Sequence, residues 1–185
     1  MSSLRVIAGK AKGKRLHPVP GDSTRPITDR TKESLFNIIG NDIQDSSFLD
    51  LFAGTGSVGI EALSRGANFV RFVDHHPRAI ETIHMNIKIT HFNTSSEVMQ
   101  MDSFKYLELK PDRTFDYLYV APPQYHDLWN KTLTKLDLNQ GWLSDDAWII
   151  IQIHPVEYDE IEFLNLSLFD SRKYGSTMLL FYQQK

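Results

Sequence analysis

The chain has 185 residues, 41% of them apolar and 11% aromatic, with 23% charged and a net charge of −3. This is the composition of one globular domain, too apolar for a disordered chain and without the run of about 18 to 20 apolar residues that spans a bilayer. With no Cys, disulfide scaffolds, thiolate zinc sites and cysteine nucleophiles are excluded.

The opening Met1-Ser-Ser-Leu-Arg5 has no apolar h-region or cleavage signal, so a cytoplasmic protein without membrane attachment is expected. Between Leu4 and Lys32 stand eight basic residues (Arg5, Lys10, Lys12, Lys14, Arg15, Arg25, Arg30, Lys32) against Asp22 and Asp29, a net of +6, which leaves −9 for the remainder. A basic segment on an acidic body fits contact with a polyanion. Leu4–Ala8 and Arg15–Val19 read as the strands of a β-hairpin with the basic tip Gly9-Lys-Ala-Lys-Gly-Lys14, followed by a loop at Gly21–Ser23. The expected organisation is a basic N-terminal extension, 1–24, before a body of 25–185.

Thr28-Asp29-Arg30 opens a helix with Leu35, Phe36, Ile38 and Ile39 on one face, and Gly40-Asn41 stops it. From Ser47 onward short apolar strands (48–52, 69–73, 98–101, 115–120, 147–153) alternate with helices (58–64, 77–90, 103–109, 128–138). Two more strands, 162–169 and 177–182, lie too close for a helix between them and read as an antiparallel pair. Alternation of this kind predicts an α/β fold, a parallel sheet with helices on both faces.

Gly54, Gly56 and Gly59 follow the first strand and open the next helix, which is where glycines let backbone approach a ligand. Phe52 ends that strand, and Thr55 stands in the glycine loop. Asp74 ends the second strand, placed to accept both hydroxyls of a ribose, with His75 and His76 beside it. Two ligand classes fit, a dinucleotide or S-adenosylmethionine. Asp50, at the end of the first strand, favours the second, because a carboxylate there repels pyrophosphate and suits a cationic amine and sulfonium. Asp102, before Ser103, reads both as an acceptor for the exocyclic amine of adenine and as a helix N-cap. The seven His show no paired metal-ligand spacing, so no metal is expected, and no GxSxG or P-loop string is present.

The fourth strand runs into Val120-Ala121-Pro122-Pro123-Gln124-Tyr125, a rigid extended corner with a carbonyl that no strand claims. In amino methyltransferases such a corner begins with Asp or Asn and carries an aromatic after the prolines; side-chain oxygen and proline carbonyl accept the two amine hydrogens while the aromatic stacks on the base.

With Arg5-Val-Ile-Ala-Gly-Lys-Ala-Lys-Gly-Lys-Arg-Leu16, Arg25-Pro-Ile-Thr-Asp-Arg-Thr-Lys-Glu-Ser-Leu-Phe-Asn37, Leu49 through Ala67, Gly141-Trp-Leu143 and Tyr174-Gly-Ser-Thr177, the chain resembles the RsmD-like small-subunit (16S) ribosomal RNA guanine-N2 methyltransferase family along essentially its whole length. The resemblance implies a Rossmann-like, seven-stranded S-adenosylmethionine-dependent methyltransferase sheet with an N-terminal β-hairpin extension. It implies Thr28, Arg30, Asp50, Phe52, Gly54, Thr55, Gly56, Gly59, Asp74, His75, Asp102 and Ser103 at the cofactor, with Thr28 and Arg30 near its methionine end. Arg5, Lys10, Lys12, Lys14, Arg15 and Arg25 would meet RNA; Ala121, Pro122, Pro123 and Tyr125 would form the catalytic corner. The expected partner is ribosomal RNA or the assembling small ribosomal subunit, met by a monomer. At the corner the chain departs from the family: Ala121 stands for Asp or Asn, and Gln124 for Phe or Tyr. Two other readings follow, an RNA-binding protein of methyltransferase fold with weak or lost catalysis, and a dinucleotide-dependent oxidoreductase, which Asp50 disfavours.

Overall fold

The computed structural model describes residues 4–21, 27–124 and 126–185; Arg25, Tyr125, and Asp22 and Ser23 of the expected loop lie outside them. Helix α1 (Asp29–Ile39) begins where the Thr28 hydroxyl accepts the Thr31 N–H and ends at Gly40, whose φ of 66° suits a residue without Cβ. Strands β1 (Ser47–Leu51), β2 (Phe69–Asp74), β3 (Ser96–Gln100), β4 (Phe115–Val120) and β5 (Leu143–Ile153) are joined by α2 (Ser57–Arg65), α3 (Pro77–Thr90), α4 (Ser103–Glu108) and α5 (Leu128–Leu138). The chain closes with β6 (Leu166–Tyr174) and β7 (Thr177–Gln184).

The sheet has seven strands in the order β3-β2-β1-β4-β5-β7-β6. β1 to β5 pair in parallel, while β7 runs antiparallel to both β5 and β6. Because side chains alternate along a strand, each strand feeds two cores. Phe48, Val70, Phe72 and Tyr117 pack with α1, α2 and α3, whereas Leu49, Leu51, Leu118 and Val120 pack with α4 and α5. The order reverses between β1 and β4, so connections leave their carboxyl ends in opposite directions and open a crevice there. No helix among the described residues is long and apolar enough to cross a membrane.

Three elements differ from expectation. The last antiparallel pair begins at Leu166, not at Glu162, and runs on to Tyr174. β6 is a sheet edge on which Leu166 alone is fully buried, so it lacks the apolar alternation by which strands are read. β5 starts at Leu143, four residues before the apolar run, with a register shift against β4 that leaves Asp145 and Asp146 exposed. The N-terminal hairpin is reduced to one antiparallel bridge, Arg5 to Arg15, flanked by hydrogen bonds from Val6 N to Lys14 O (3.0 Å) and from Leu16 N to Leu4 O (2.8 Å).

That short ribbon is docked onto the body rather than held out from it. Val6, Ala11 and Leu16 are buried in the core above α2, while Arg5, Lys10, Lys12, Lys14 and Arg15 face solvent. Its backbone is held by α2: the Glu61 carboxylate accepts the N–H groups of Ile7 (2.8 Å) and Ala8 (3.0 Å), and Ser64 O accepts that of Lys10 (2.7 Å). Gly9 is required there, since a Cβ would sit 1.8 Å from Ser64 O. Lys32 donates to Arg5 O (2.7 Å) and lies 3.6 Å from Glu61, both side chains without exposed surface. Burial lowers the Lys32 pKa, and Glu61 and Asp29 act against that shift.

Candidate functional site

A cavity of about 480 Å³ lies at the carboxyl ends of β1 and β4. One side is the turn between β1 and α2. Phe52 adopts φ 59° there, a left-handed conformation that costs a non-glycine residue roughly 1–2 kcal/mol, and its ring packs edge-on against Phe104 at 5.9 Å. The turn is pinned to β2 by Ala53 N to Val73 O (3.1 Å) and Gly54 N to Asp74 Oδ2 (2.8 Å). Asn86 of α3 holds it from the other side, donating to Thr55 O (2.9 Å) and to His17 O (3.0 Å), and so ties the turn to the N-terminal segment.

The three glycines divide. Gly54 lines the cavity, while Gly56 and Gly59 are not among its lining residues. Gly56, at φ 73°, caps α2, and Gly59 brings that helix against β2: a Cβ on it would lie 2.4 Å from Phe72 Cε1. Their role visible in the structure is close packing, which sets where the turn stands.

Among the described residues two carboxylates face the cavity. Asp50 is 2% exposed and its Oδ2 accepts the Gly59 N–H at 3.0 Å. Burial pushes its pKa well above the ordinary carboxylate range; the Gly59 N–H opposes the shift and the Asp74 charge adds to it. Asp74 is locked in place, with Oδ2 on Gly54 N and Oδ1 on His76 N (2.9 Å). His75 stands at the rim with Nδ1 3.9 Å from Asp74 Oδ1.

The opposite wall is the proline corner, Ala121 to Gln124, held to β1 by Ala121 N to Leu51 O at 3.5 Å. Below it lie Tyr119 and Gln152, and the Tyr119 hydroxyl donates to Gln152 Oε1. Asp50 and Tyr119 are register partners, as are Tyr119 and Ile150, and Gln152 follows Ile150 by two residues, so Asp50, Tyr119 and Gln152 share one face of β1, β4 and β5. Burial, with the Asp50 charge adding, raises the Tyr119 pKa well above 10.0.

Of the residues singled out from sequence, Asp50, Phe52, Gly54, Thr55, Asp74, His75, Ala121, Pro122 and Pro123 come together at this cavity. Thr28 caps α1, Arg30 is exposed, and Asp102 caps α4 by accepting the N–H groups of Phe104 and Lys105 at 3.0 Å each, with Ser103 buried behind it. None of these four lines the cavity. Val19, Ile27, Ala79, Tyr119 and Gln152 line it without having been singled out. Only Gln152 carried a signal, as the one polar residue in the apolar run 147–153.

The model of the family described as Conserved hypothetical protein 95 matches residues 4–183. A protein of Bacillus subtilis (strain 168) named "Putative rRNA methyltransferase YlbH" is 36% identical, covering 98% of this chain and 100% of its own. The "Ribosomal RNA small subunit methyltransferase D" of Escherichia coli (strain K12) is 33% identical, covering 80% of this chain and 74% of its own. A solved structure titled "Putative methyltransferase yhhF from Escherichia coli" has a TM-score of 0.85 and 31% identity, covering 99% of this chain and 98% of that one.

Proposed function

The chain belongs to the Conserved hypothetical protein 95 family, that of the ribosomal RNA small subunit methyltransferases D, and on that premise we propose that it methylates ribosomal RNA using S-adenosylmethionine. The target in this reading is the exocyclic N2 amine of a guanine in the small-subunit RNA. The observation that carries it is the meeting of two carboxylates, Asp50 and Asp74, with a proline corner at the strand-order reversal.

The residues present fit the cofactor. A cavity of about 480 Å³ is of the size that takes a nucleoside-sized ligand. A buried carboxylate whose ionised form is disfavoured gains most from a cation, and a pyrophosphate would meet two carboxylates instead. When bound, S-adenosylmethionine supplies an electrophilic methyl carbon on sulfur, which a target amine takes up with loss of one proton to water.

Asp50 would ionise against the ligand's positive charge. Asp74 would accept ribose hydroxyls with the lone pairs that Gly54 and His76 leave free, and His75, Phe52 and Thr55 would flank them. Thr28, Arg30, Asp102 and Ser103 keep their proposed roles at the cofactor from the family resemblance. On the other wall, at the corner that Ala121 opens, the Pro122 carbonyl and a second acceptor would take the two N–H bonds of the target amine, with Pro123 keeping the corner extended and Tyr125 stacking on the base. The exposed cations of the N-terminal extension, and Arg25 by the family resemblance, would hold phosphates in a salt-dependent way while the base is taken out of its stack.

The test is methyl incorporation from radiolabelled S-adenosylmethionine into small-subunit ribosomal RNA, free and partly assembled, beside calorimetric titration of the cofactor. Label on a guanine amine is the expected result. Ala121 favours one second reading, an RNA-binding protein that kept the cavity and lost turnover. Cofactor binding without incorporation into either substrate would select it, and absence of cofactor binding would overturn both.

A further inference from the structure

The corner that should grip the target amine offers no side-chain oxygen at Ala121, yet a polar group stands close by. Tyr119 precedes Ala121 by two residues on the same strand direction, so both face the same cavity. The residue is 2% exposed, and its hydroxyl proton is committed to Gln152 Oε1. A phenol whose proton is already donated presents only lone pairs to the remaining space, so it acts there as an acceptor. A buried tyrosine that served packing alone would match the apolar residues around it. This one brings an oxygen to the wall where the amine acceptor is missing.

We propose that the Tyr119 hydroxyl oxygen accepts one N–H of the target amine, taking the part of the absent oxygen at Ala121, with Gln152 as the positioning residue that holds the hydroxyl proton away. The inference rests on the methyltransferase reading above and deepens it. Burial keeps the phenol neutral. A neutral acceptor orients the amine without taking its proton, which goes to water once the methyl is in place. The carbonyl at Pro122 supplies the second acceptor, so the amine's two N–H bonds are both directed and its lone pair is left for the methyl carbon.

The experiment compares wild type with Tyr119→Phe, Gln152→Leu, the Tyr119→Phe/Gln152→Leu pair, and Tyr119→Phe combined with Ala121→Asp. It measures kcat and KM on small-subunit RNA, cofactor Kd by calorimetry, and Tm. Tyr119→Phe should lower kcat about 10- to 100-fold, somewhat less than loss of an oxyanion-hole donor because the acceptor is neutral, with cofactor Kd unchanged within about twofold. Gln152→Leu should lower kcat in wild type and add little in Tyr119→Phe, since it acts through that hydroxyl. Ala121→Asp should restore most of the activity of Tyr119→Phe, and Ala121→Asn repeats the rescue without a further charge near Asp50. If wild type methylates RNA and Tyr119→Phe keeps kcat within twofold, the inference fails and the methyltransferase reading stands. It fails likewise if activity falls only together with Tm and cofactor affinity and neither change at Ala121 restores it. A wild type that transfers no methyl to RNA overturns the reading and the inference with it.

Discussion

Replacing Glu61 by Ala should separate the N-terminal ribbon from the body. The Glu61 carboxylate has no exposed surface, accepts two ribbon N–H groups and Arg65 Nε (2.9 Å), and lies 3.6 Å from the equally buried Lys32 ammonium. Two unit charges at that distance attract by about 4 to 5 kcal/mol at an effective dielectric near 20. Most of this offsets desolvation, so the measurable quantity is the loss on removing one partner, about 3 to 5 kcal/mol for a buried pair. Against a total stability of roughly 5–15 kcal/mol that is a large share, and it corresponds to a fall in Tm on the order of 6–20 °C for a chain of this size. Lys32 also fixes the sign of the pH dependence. Its folded pKa lies below the ordinary 10.5, so between the two values the unfolded chain holds more protons and stability rises with pH. Without Glu61 that window extends to lower pH, and the variant should recover part of its loss as pH is raised from 7 toward 10. Glu61→Gln, which keeps the shape and one carbonyl acceptor, should lose less. The assay is urea unfolding across that pH range, with RNA affinity beside it. A Glu61→Ala protein within 1 kcal/mol of wild type, or one whose deficit grows with pH, would refute the reasoning.

Three further outcomes follow from the site and the ribbon. Asp50→Asn should raise Tm at pH 7 while weakening the cofactor tenfold or more: above the ordinary value of 3.8 the folded state holds a proton the unfolded state has lost, so the carboxylate's contribution falls as pH rises through that window. Thermal melts at pH 3 and 7 check this, and a lower Tm than wild type at pH 7 contradicts it. Gly59→Ala forces a Cβ to within 2.4 Å of Phe72 and should cost about 1–3 kcal/mol of unfolding free energy; it should also weaken cofactor binding by shifting the turn, although Gly59 does not line the cavity. Replacing Lys10, Lys12 and Lys14 together by Ala should leave Tm nearly unchanged, since all three are exposed, and flatten the dependence of RNA affinity on log salt by about 2. An unchanged slope would place the RNA elsewhere.

Much of the fold is legible because it is set by neighbours along the chain. The helices from Asp29, Pro77 and Ser103 begin where a cap or proline favours them, and α3 and α5 end at the residues expected from their apolar period. The glycine turn and the acid after the second strand are likewise readable, since strand, turn and helix follow one another within a few residues. β6 was misplaced because an edge strand half in water has no apolar alternation to read. Asp102 had two readings, cofactor acceptor and helix cap; the structure displays the capping bonds.

What the amino-acid sequence determined alone is the order of the elements, the parallel α/β class, the turn with its acidic partners, and the departure at Ala121. Those depend on residue type and short spacing. The tertiary structure alone decided which distant groups meet. Lys32 and Glu61 form a buried pair that clips the ribbon onto α2, and Asp50, Tyr119 and Gln152 come to share one face only when β1, β4 and β5 pair in this register. Gly56 and Gly59 turned to packing for the same reason: whether a glycine faces a ligand or a neighbouring strand depends on what stands opposite it, and in this fold Phe72 does.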